Sequence, residues 1–339
     1  MTQLATPRLP AGPQPGGKPP PAMRRPAAPK AALGPPPLPP LSVIVLNRAA
    51  YGPRAGDLEA FDALGADDDA RLGAWLDQQL NPGAIVDTEC DQRLAAEAYV
   101  TLNKSLTQLW ADYILPAQAD RSLPIEETCG ATLLRAIYSR RQLFEVLAEF
   151  WHNHFNIYGW DYRISSVWAH YDRSVIRANA FGNFRQMLGQ VAAHPAMLYY
   201  LDNAYSSSAG PNENWGRELF ELHTLGAENY LGVQPQSNVP GYAAGTPEKY
   251  VDADVYEATR AFTGWRVNDN TWEQGVQNTG SFLYYDSWHD RFQKTILGLP
   301  VIPANQAPMA DGNIVLDRLA ANPGTGRFIC CLLYTSRCV

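Results

Sequence analysis

Apolar residues recur every three to four positions through most of this chain, and that spacing is what most restricts the fold it can adopt. In Asp67–Leu80 the apolar side chains fall on one stripe, and Asn81-Pro82-Gly83 ends the segment. Arg141–Asn156 repeats the pattern with aromatic residues on the buried side. Each such segment predicts an amphipathic helix that buries its apolar stripe against other helices.

Further stretches with helical spacing are separated by loops rich in glycine, proline and asparagine. They are Asp57–Leu64, Asp91–Leu115, Glu126–Tyr138, Ile164–Asn179, Asn183–Ala192, Ala196–Asp202, Asn212–Gly226 and Asp252–Thr263. Phe282–Tyr285 is the best candidate for a short strand, and strands do not alternate with helices as they do in βαβ proteins. We therefore predict a mainly α fold: an irregular multi-helix orthogonal bundle with long loops and at most a short strand pair.

Fourteen of the chain's 27 prolines lie in residues 1–40, together with five basic and no acidic residues. A segment of this composition favours extended, disordered chain and does not form the apolar helix of a signal peptide. Arg24 and Arg25 resemble a twin-arginine export signal, but the apolar stretch that should follow them is missing. We predict a disordered tail over residues 1–40 and one helical domain over 41–329; a misassigned start codon is the alternative explanation of the tail.

Without the tail, 22 basic residues stand against 34 acidic ones, which is a formal net charge of −12. Such an acidic domain argues against nucleic-acid and anionic-membrane partners, because binding phosphates requires clustered basic side chains. No apolar run approaches the roughly 18–20 residues of a membrane-spanning helix. The sequence therefore predicts neither a nucleic-acid partner nor a transmembrane segment.

Two histidines, His152 and His154, lie near the end of the segment Arg141–Asn156. On a straight helix they point about 200° apart, since each residue turns about 100°, so they cannot bind one metal ion together. His154 is on the apolar stripe, where a hydrogen-bonded core histidine is the alternative to a ligand. His152 shares the opposite face with Glu145 and Glu149, where the alternative is a solvated salt bridge.

The segment Asn212–Gly226 carries a strongly polar face, on which Asn214, Arg217, Glu218 and Glu221 lie within about 100° of arc. The two glutamates can converge, and Arg217 can reach Glu221 four positions later. Such a carboxylate pair can bind a hard cation, perform acid–base chemistry or form ion pairs with a neighbouring helix. A solvated charged face is the simpler alternative.

His223 falls on the apolar side of the same helical wheel. We therefore do not group it with the two glutamates.

A third block, His289-Asp290, can supply a metal ligand and the carboxylate that orients it, or a structural hydrogen bond in a loop. Arg260 lies off the packing stripe of Asp252–Thr263 and can pair with a glutamate of the Asn212–Gly226 helix.

These blocks occur in an order that resembles the bacterial domain-of-unknown-function 1800 family, over about residues 41–330. The matching residues are Leu46–Pro53, Trp151–Phe155, Pro195–Leu198, Leu201–Asn203, Asn212–Gly226, Asp254–Val255, Arg260–Trp265, His289–Asp290 and Lys294–Gly298. The resemblance implies an all-helical fold, but no established reaction. It also implies bacterial origin and frequent export beside a co-encoded protein related to alkaline phosphatases and sulfatases.

The chain departs from the family pattern at both ends. Family members usually begin with an export signal, so the missing signal leaves the localisation open. They also continue with further helices where Cys330–Val339 stands here. We predict that residues 330–339 are non-native, that the domain is incomplete at its C-terminal end, and that the recombinant chain has low stability.

Two functions follow as hypotheses. The first is a metal-dependent hydrolase or redox enzyme with a Glu/His site between helices and a divalent metal as its possible cofactor. Its catalytic residues would be Arg217, Glu218 and Glu221, its metal ligands would come from His152, His154, Glu218, Glu221, His289 and Asp290, and Asn214 and Arg260 would have structural polar roles. The second hypothesis is a non-catalytic accessory or scaffold partner of the co-encoded phosphatase/sulfatase-like protein.

Overall fold

Helices dominate the computed structural model, which describes residues 37–269 and 277–336. The chain separates into residues 1–39 and 40–339, and every helix and strand named below belongs to the second unit. Most of the proline-rich segment and residues 337–339 lie outside the described part. The predicted mainly α fold with a short strand pair is confirmed.

Fourteen α-helices and two strands are present among the described residues. The helices are α1 (Leu41–Ala49), α2 (Asp57–Asp62), α3 (Asp68–Gln79), α4 (Thr88–Ala96), α5 (Leu106–Tyr113), α6 (Leu123–Tyr138), α7 (Gln142–His154), α8 (Trp168–His170), α9 (Phe184–Ala193), α10 (Pro195–Tyr200), α11 (Glu213–Glu221), α12 (Asp252–Ala261), α13 (Ala310–Ala321) and α14 (Pro323–Ser336). The strands β1 (Trp265–Val267) and β2 (Phe282–Tyr284) pair in antiparallel fashion. The boundary predicted at Cys330 falls inside α14, which continues to Ser336.

Two predicted helices are wrong in detail. Asp91–Leu115 is not one helix, because Ser105 and Gln108 form a capping box that begins α5 separately from α4. Ile164–Asn179 is not a regular α-helix either. After the three residues of α8 it continues as a π-helical turn, Tyr171–Ile176. Such turns are frequent at functional sites, and this one contributes a buried carboxylate to the site described below.

The main core lies between α7 and the C-terminal half of the chain. Its largest side chains are aromatic, and most come from α11, α12 and the start of the strand pair: Trp215, Phe220, Phe262 and Trp265. A smaller cluster around Phe61 and Trp75 joins α1, α2 and α3. None of the helices in residues 37–269 and 277–336 combines the length and apolar composition that a membrane crossing needs.

The close crossing of α11 and α12 depends on Gly216. A Cβ atom at this position would lie 2.3 Å from Thr259 Oγ1 and 3.1 Å from the Val255 carbonyl oxygen. Because the Thr259 side chain is buried and bonded to that carbonyl, it has no open space to move into. We expect Gly216→Ala to lower the free energy of unfolding by about 1–3 kcal/mol in denaturant titrations.

The matched control is Gly73→Ala in the exposed interior of α3. A Cβ atom there would meet nothing within 4 Å. The higher helix propensity of alanine should therefore raise the free energy of unfolding, by up to about 1 kcal/mol. If the two variants shift stability in the same direction, the packing of α11 against α12 does not require a glycine.

Candidate functional site

The end of helix α7 presents its two histidines to two different cavities. His152 lines one cavity of about 550 Å³, here called the His152 cavity. His154 lines another of about 600 Å³, the His154 cavity. Asn153, which lies between the histidines, contributes to both walls. This division follows from helix geometry, because positions two apart on a helix face nearly opposite directions.

In the His152 cavity the imidazole is held by a buried carboxylate. His152 Nε2 lies 2.8 Å from Asp172 Oδ1, and Asp172 comes from the π-helical turn after α8. Burial alone would raise the pKa of Asp172, but the hydrogen bond from His152 and the charge of Arg177 keep it below its usual value. An ionised Asp172 accepts the proton of Nε2, and in a neutral imidazole with that proton the lone pair is on Nδ1.

The Nδ1 atom is available to a ligand. It makes no hydrogen bond to any described residue, and it is not among the buried polar atoms that lack a partner. The Trp168 ring stacks on the imidazole with its centroid 5.5 Å away and fixes the ring plane. The arrangement is a carboxylate-oriented histidine with one basic nitrogen beside a cavity, which is the geometry of a general base.

A largely buried ion pair between Arg177 and Glu145 lines the same cavity as His152. Arg177 Nη2 donates to both carboxylate oxygens of Glu145, at 2.6 and 2.7 Å, and both side chains are largely buried. The alternative of a solvated salt bridge on this face of α7 therefore does not describe Glu145, whose ion pair is largely buried, or His152, whose partner is the buried Asp172. The π-helical segment covers the face, and a helical wheel of α7 alone does not contain that information.

The His154 cavity brings together two blocks that the sequence singled out. Its polar lining comes from α7 and from the polar face of α11, including Asn214 and Glu218. His223 is buried, as its place on the apolar side of the wheel predicts, and it also lines this cavity. The reason is that α11 ends at Glu221, and the chain then turns so that the His223 N–H donates to the Glu218 carbonyl oxygen.

Burial controls the charge of the histidines in this cavity. It lowers the pKa of His154 to about 4, against a small opposing effect of the bond from Nε2 to the His223 carbonyl oxygen. Burial and the neighbouring His154 lower the pKa of His223 to about 3. Burial and the Glu221 charge raise the pKa of Glu218. The cavity therefore holds two neutral imidazoles at neutral pH, beside a carboxylate.

The predicted partners of the α11 polar face are different in the structure. Arg217 does not pair with Glu221; its guanidinium bonds to Glu213 and Asp252. The Glu218 and Glu221 carboxylates form no hydrogen bond or ion pair with the described residues. The two glutamates are thus not part of an ion-pair network between helices.

His289 and Asp290 lie in a buried network that lines neither cavity. His289 bridges the Thr263 carbonyl oxygen and Asp311, while Asp290 accepts two bonds of 2.9 Å from the Arg260 guanidinium. Arg260 therefore pairs with Asp290, and with Glu257, rather than with a glutamate of α11. The network ties the loop after β2 to α12 and α13.

The six predicted metal donors thus do not form one group: His152 lines one cavity, His154 and Glu218 line the other, and Glu221, His289 and Asp290 line neither. Within residues 37–269 and 277–336, no three His, Cys, Asp or Glu side chains are grouped so that they could hold a metal ion. Sequence reasoning missed Asp172 and Arg177. Their only signal is that Asp172 interrupts, and Arg177 directly follows, a largely apolar helical stretch, Val167–Ile176.

The residues that form both cavities fall within one family match. A family model described as a protein of unknown function, DUF1800, matches residues 44–336. No curated protein and no solved structure matches the chain. Because the match covers most of the sequence, including His152, His154, Asp172 and Glu218, the chain belongs to the DUF1800 family.

Proposed function

We propose that this protein is a hydrolase in which His152, oriented by Asp172, acts as a general base in the His152 cavity. The observation that carries the proposal is the 2.8 Å contact between the buried Asp172 carboxylate and His152 Nε2, which leaves Nδ1 without a hydrogen bond to the described residues. Carboxylate–histidine pairs of this kind fix the tautomer and stabilise the imidazolium that forms during catalysis. The cavity volume is in the range of small-molecule sites.

The proposed reaction is the hydrolysis of a carboxylic ester. His152 Nδ1 removes a proton from water as the water oxygen bonds to the carbonyl carbon. The bond from that carbon to the leaving oxygen then breaks, and the imidazolium returns its proton to the leaving alcohol. The products are a carboxylic acid and an alcohol, and His152 is neutral again.

Asp172→Asn tests this proposal with p-nitrophenyl acetate as the substrate. The asparagine amide would donate to Nε2, which moves the imidazole proton to Nδ1 and removes the base. We expect kcat/KM to fall at least about a hundredfold. The control is Asp317→Asn, which removes the carboxylate of an exposed ion pair with Arg185 and should leave the rate unchanged.

A second variant separates folding from chemistry. His152→Gln keeps an N–H donor for the buried Asp172 carboxylate but has no basic nitrogen. We expect cooperative unfolding to be retained and hydrolysis to fall as much as in Asp172→Asn. Wild-type protein without His152-dependent ester hydrolysis, or a His152→Gln variant with full activity, would show that this is not the catalytic base.

A metal-dependent enzyme, hydrolytic or redox, is the second candidate, and it places the chemistry in the His154 cavity. The observation that favours it is His223, which is 3% exposed and has both ring nitrogens without a hydrogen-bond partner among described residues. Imidazole nitrogens and the nearby Glu218 carboxylate are donors that suit transition metals. Metal analysis of protein purified under several metallation conditions tests this candidate; sub-stoichiometric metal in all of them would contradict it.

An accessory role beside a phosphatase/sulfatase-like protein is the third candidate. Exposed aromatic side chains at Tyr158, Trp160 and Tyr162 favour it, because aromatic residues are enriched at protein interfaces. The test is analytical size-exclusion chromatography of the two purified proteins together. We expect a shared peak if the role is correct and two independent peaks if it is not.

A further inference from the structure

We infer that the ligand of the His152 cavity is an uncharged ester with a hydrocarbon-rich acyl group. This inference rests on the hydrolase proposed above and adds its substrate class. Three features of the cavity carry it: an exposed apolar rim, an apolar wall beside the base, and the absence of an available cation among the described lining residues.

The rim consists of large apolar side chains that water reaches. Leu133 on α6 is 64% exposed, and Tyr158 and Trp160, on the loop after α7, are 62% and 52% exposed. All three line the His152 cavity. Apolar side chains grouped on a surface are a mark of binding sites, whereas single exposed ones are ordinary. The entrance therefore favours a ligand that covers these side chains with hydrocarbon.

The inner wall continues this apolar surface up to the base. Trp168 stacks on His152, and Ile125, Ala148 and Ile157 are buried around the cavity. An ester carbonyl next to Nδ1 would thus have its acyl group along the tryptophan and the aliphatic side chains. Burial of hydrocarbon in such a wall is favourable in proportion to the area removed from water.

The charges at the cavity disfavour an anion. Arg177 is the one Arg or Lys among the described lining residues, and both oxygens of Glu145 already accept its hydrogen bonds. The Asp172 carboxylate is buried nearby. An anionic ligand would have to lie beside these carboxylates without a free cation, which is unfavourable in a site of low polarity. A phosphate or sulfate ester is therefore a poor fit, and a neutral ester is a good one.

The experiment compares p-nitrophenyl acetate, butyrate and hemisuccinate, the last of which adds a carboxylate to an acyl chain of similar length. Because butyrate has two more methylenes than acetate, we expect its kcat/KM to be about tenfold higher. We expect the kcat/KM of the anionic hemisuccinate to be at least about tenfold lower than that of butyrate. Trp160→Ala should reduce the butyrate-to-acetate ratio at least threefold. Tyr256→Ala, at an exposed aromatic residue of α12 that does not line the cavity, should leave the ratio unchanged.

Binding of N-phenyl-1-naphthylamine, a neutral apolar fluorophore with no ester bond, separates this inference from the hydrolase itself. We expect one site, with affinity reduced at least fivefold in Trp160→Ala. If the fluorophore binds in this way but no ester is hydrolysed, the hydrolase is wrong and the apolar character of the cavity stands. If acetate is hydrolysed through His152 but butyrate is no better and the fluorophore does not bind, the substrate class is wrong and the hydrolase stands.

Discussion

Lys294→Met is expected to lower the free energy of unfolding by about 3–5 kcal/mol, the usual effect of removing one partner of a buried ion pair. Lys294 is 1% exposed and Asp311 is 2% exposed. The ammonium donates to Asp311 Oδ2 at 2.6 Å and to the carbonyl oxygens of Asp290 and Phe292 at 2.6 and 2.9 Å. The methionine has nearly the same length, so the loss would come from the unpaired carboxylate and carbonyl groups.

Asp311 is the group that Lys294→Met would affect most, because the ammonium helps to keep its pKa low. Burial alone would raise this pKa, but the hydrogen bonds from His289 and Lys294 bring it below its usual value. Without the ammonium, the carboxylate keeps His289 as its hydrogen-bond partner, and its other oxygen already has none among the described residues. Adding Asp311→Leu to Lys294→Met should therefore recover part of the stability, because it removes the uncompensated charge.

The control is the same substitution in an exposed ion pair, Lys104→Met. Lys104 pairs with Asp112 at 2.7 Å, and their side chains are 28% and 47% exposed. Since water screens such a pair, we expect a much smaller loss than in Lys294→Met. Equal losses in Lys294→Met and Lys104→Met, measured by denaturant titration at pH 7, would contradict a stabilising role of the buried network.

Acid is expected to destabilise the protein by roughly 5 kcal/mol between pH 6 and pH 5, through four histidines whose folded-state pKa is lowered. Burial lowers the pKa of His154 to about 4 and, with the charge of His154, that of His223 to about 3. Burial and the Arg173 charge lower the pKa of His170 to about 4, and burial and the neighbouring His170 lower the pKa of His194 well below its usual value. The unfolded chain, with histidine pKa values near 6.5, then binds more protons than the folded chain.

The direction in which the free energy of unfolding changes with pH follows from these lowered pKa values. The contribution of the neutral histidines to stability is complete above about pH 6.5, and it is lost as the pH falls towards their lowered folded-state pKa values. Each histidine contributes a slope of about 1.4 kcal/mol per pH unit within this window. Between pH 7 and pH 8 these groups should give no slope. The expected total loss is a large part of the 5–15 kcal/mol that is typical of a folded domain.

His194→Asn provides the variant for this prediction. His194 Nδ1 accepts the Ala196 N–H and caps α10, and asparagine is an equally good capping residue that does not titrate in this range. The slope of unfolding free energy against pH should decrease by about one proton, whatever the stability at pH 7. An unchanged slope between pH 6 and pH 5 would show that His194 is not the titrating group.

The fold was largely accessible from residue spacing because each helix has a local signal. Asn183 and Asn212 are the first residues of two predicted segments, and in the structure both cap a helix by accepting a hydrogen bond from a backbone N–H group. β1 was not recognisable, since Trp265–Val267 is buried throughout and shows no alternation. Its strand character depends on pairing with β2, which is distant in sequence.

The opposed directions of His152 and His154 were determined by the sequence alone, because helix geometry fixes the angle between positions two apart. Which residues contact each histidine was decided only by the tertiary structure. Asp172 reaches His152 from a π-helical turn, and His223 lines the same cavity as Glu218 because α11 ends at Glu221, before the predicted end at Gly226. Periodicity describes the faces of a single helix, whereas a site depends on which segments cover those faces, and that follows from packing over the whole chain.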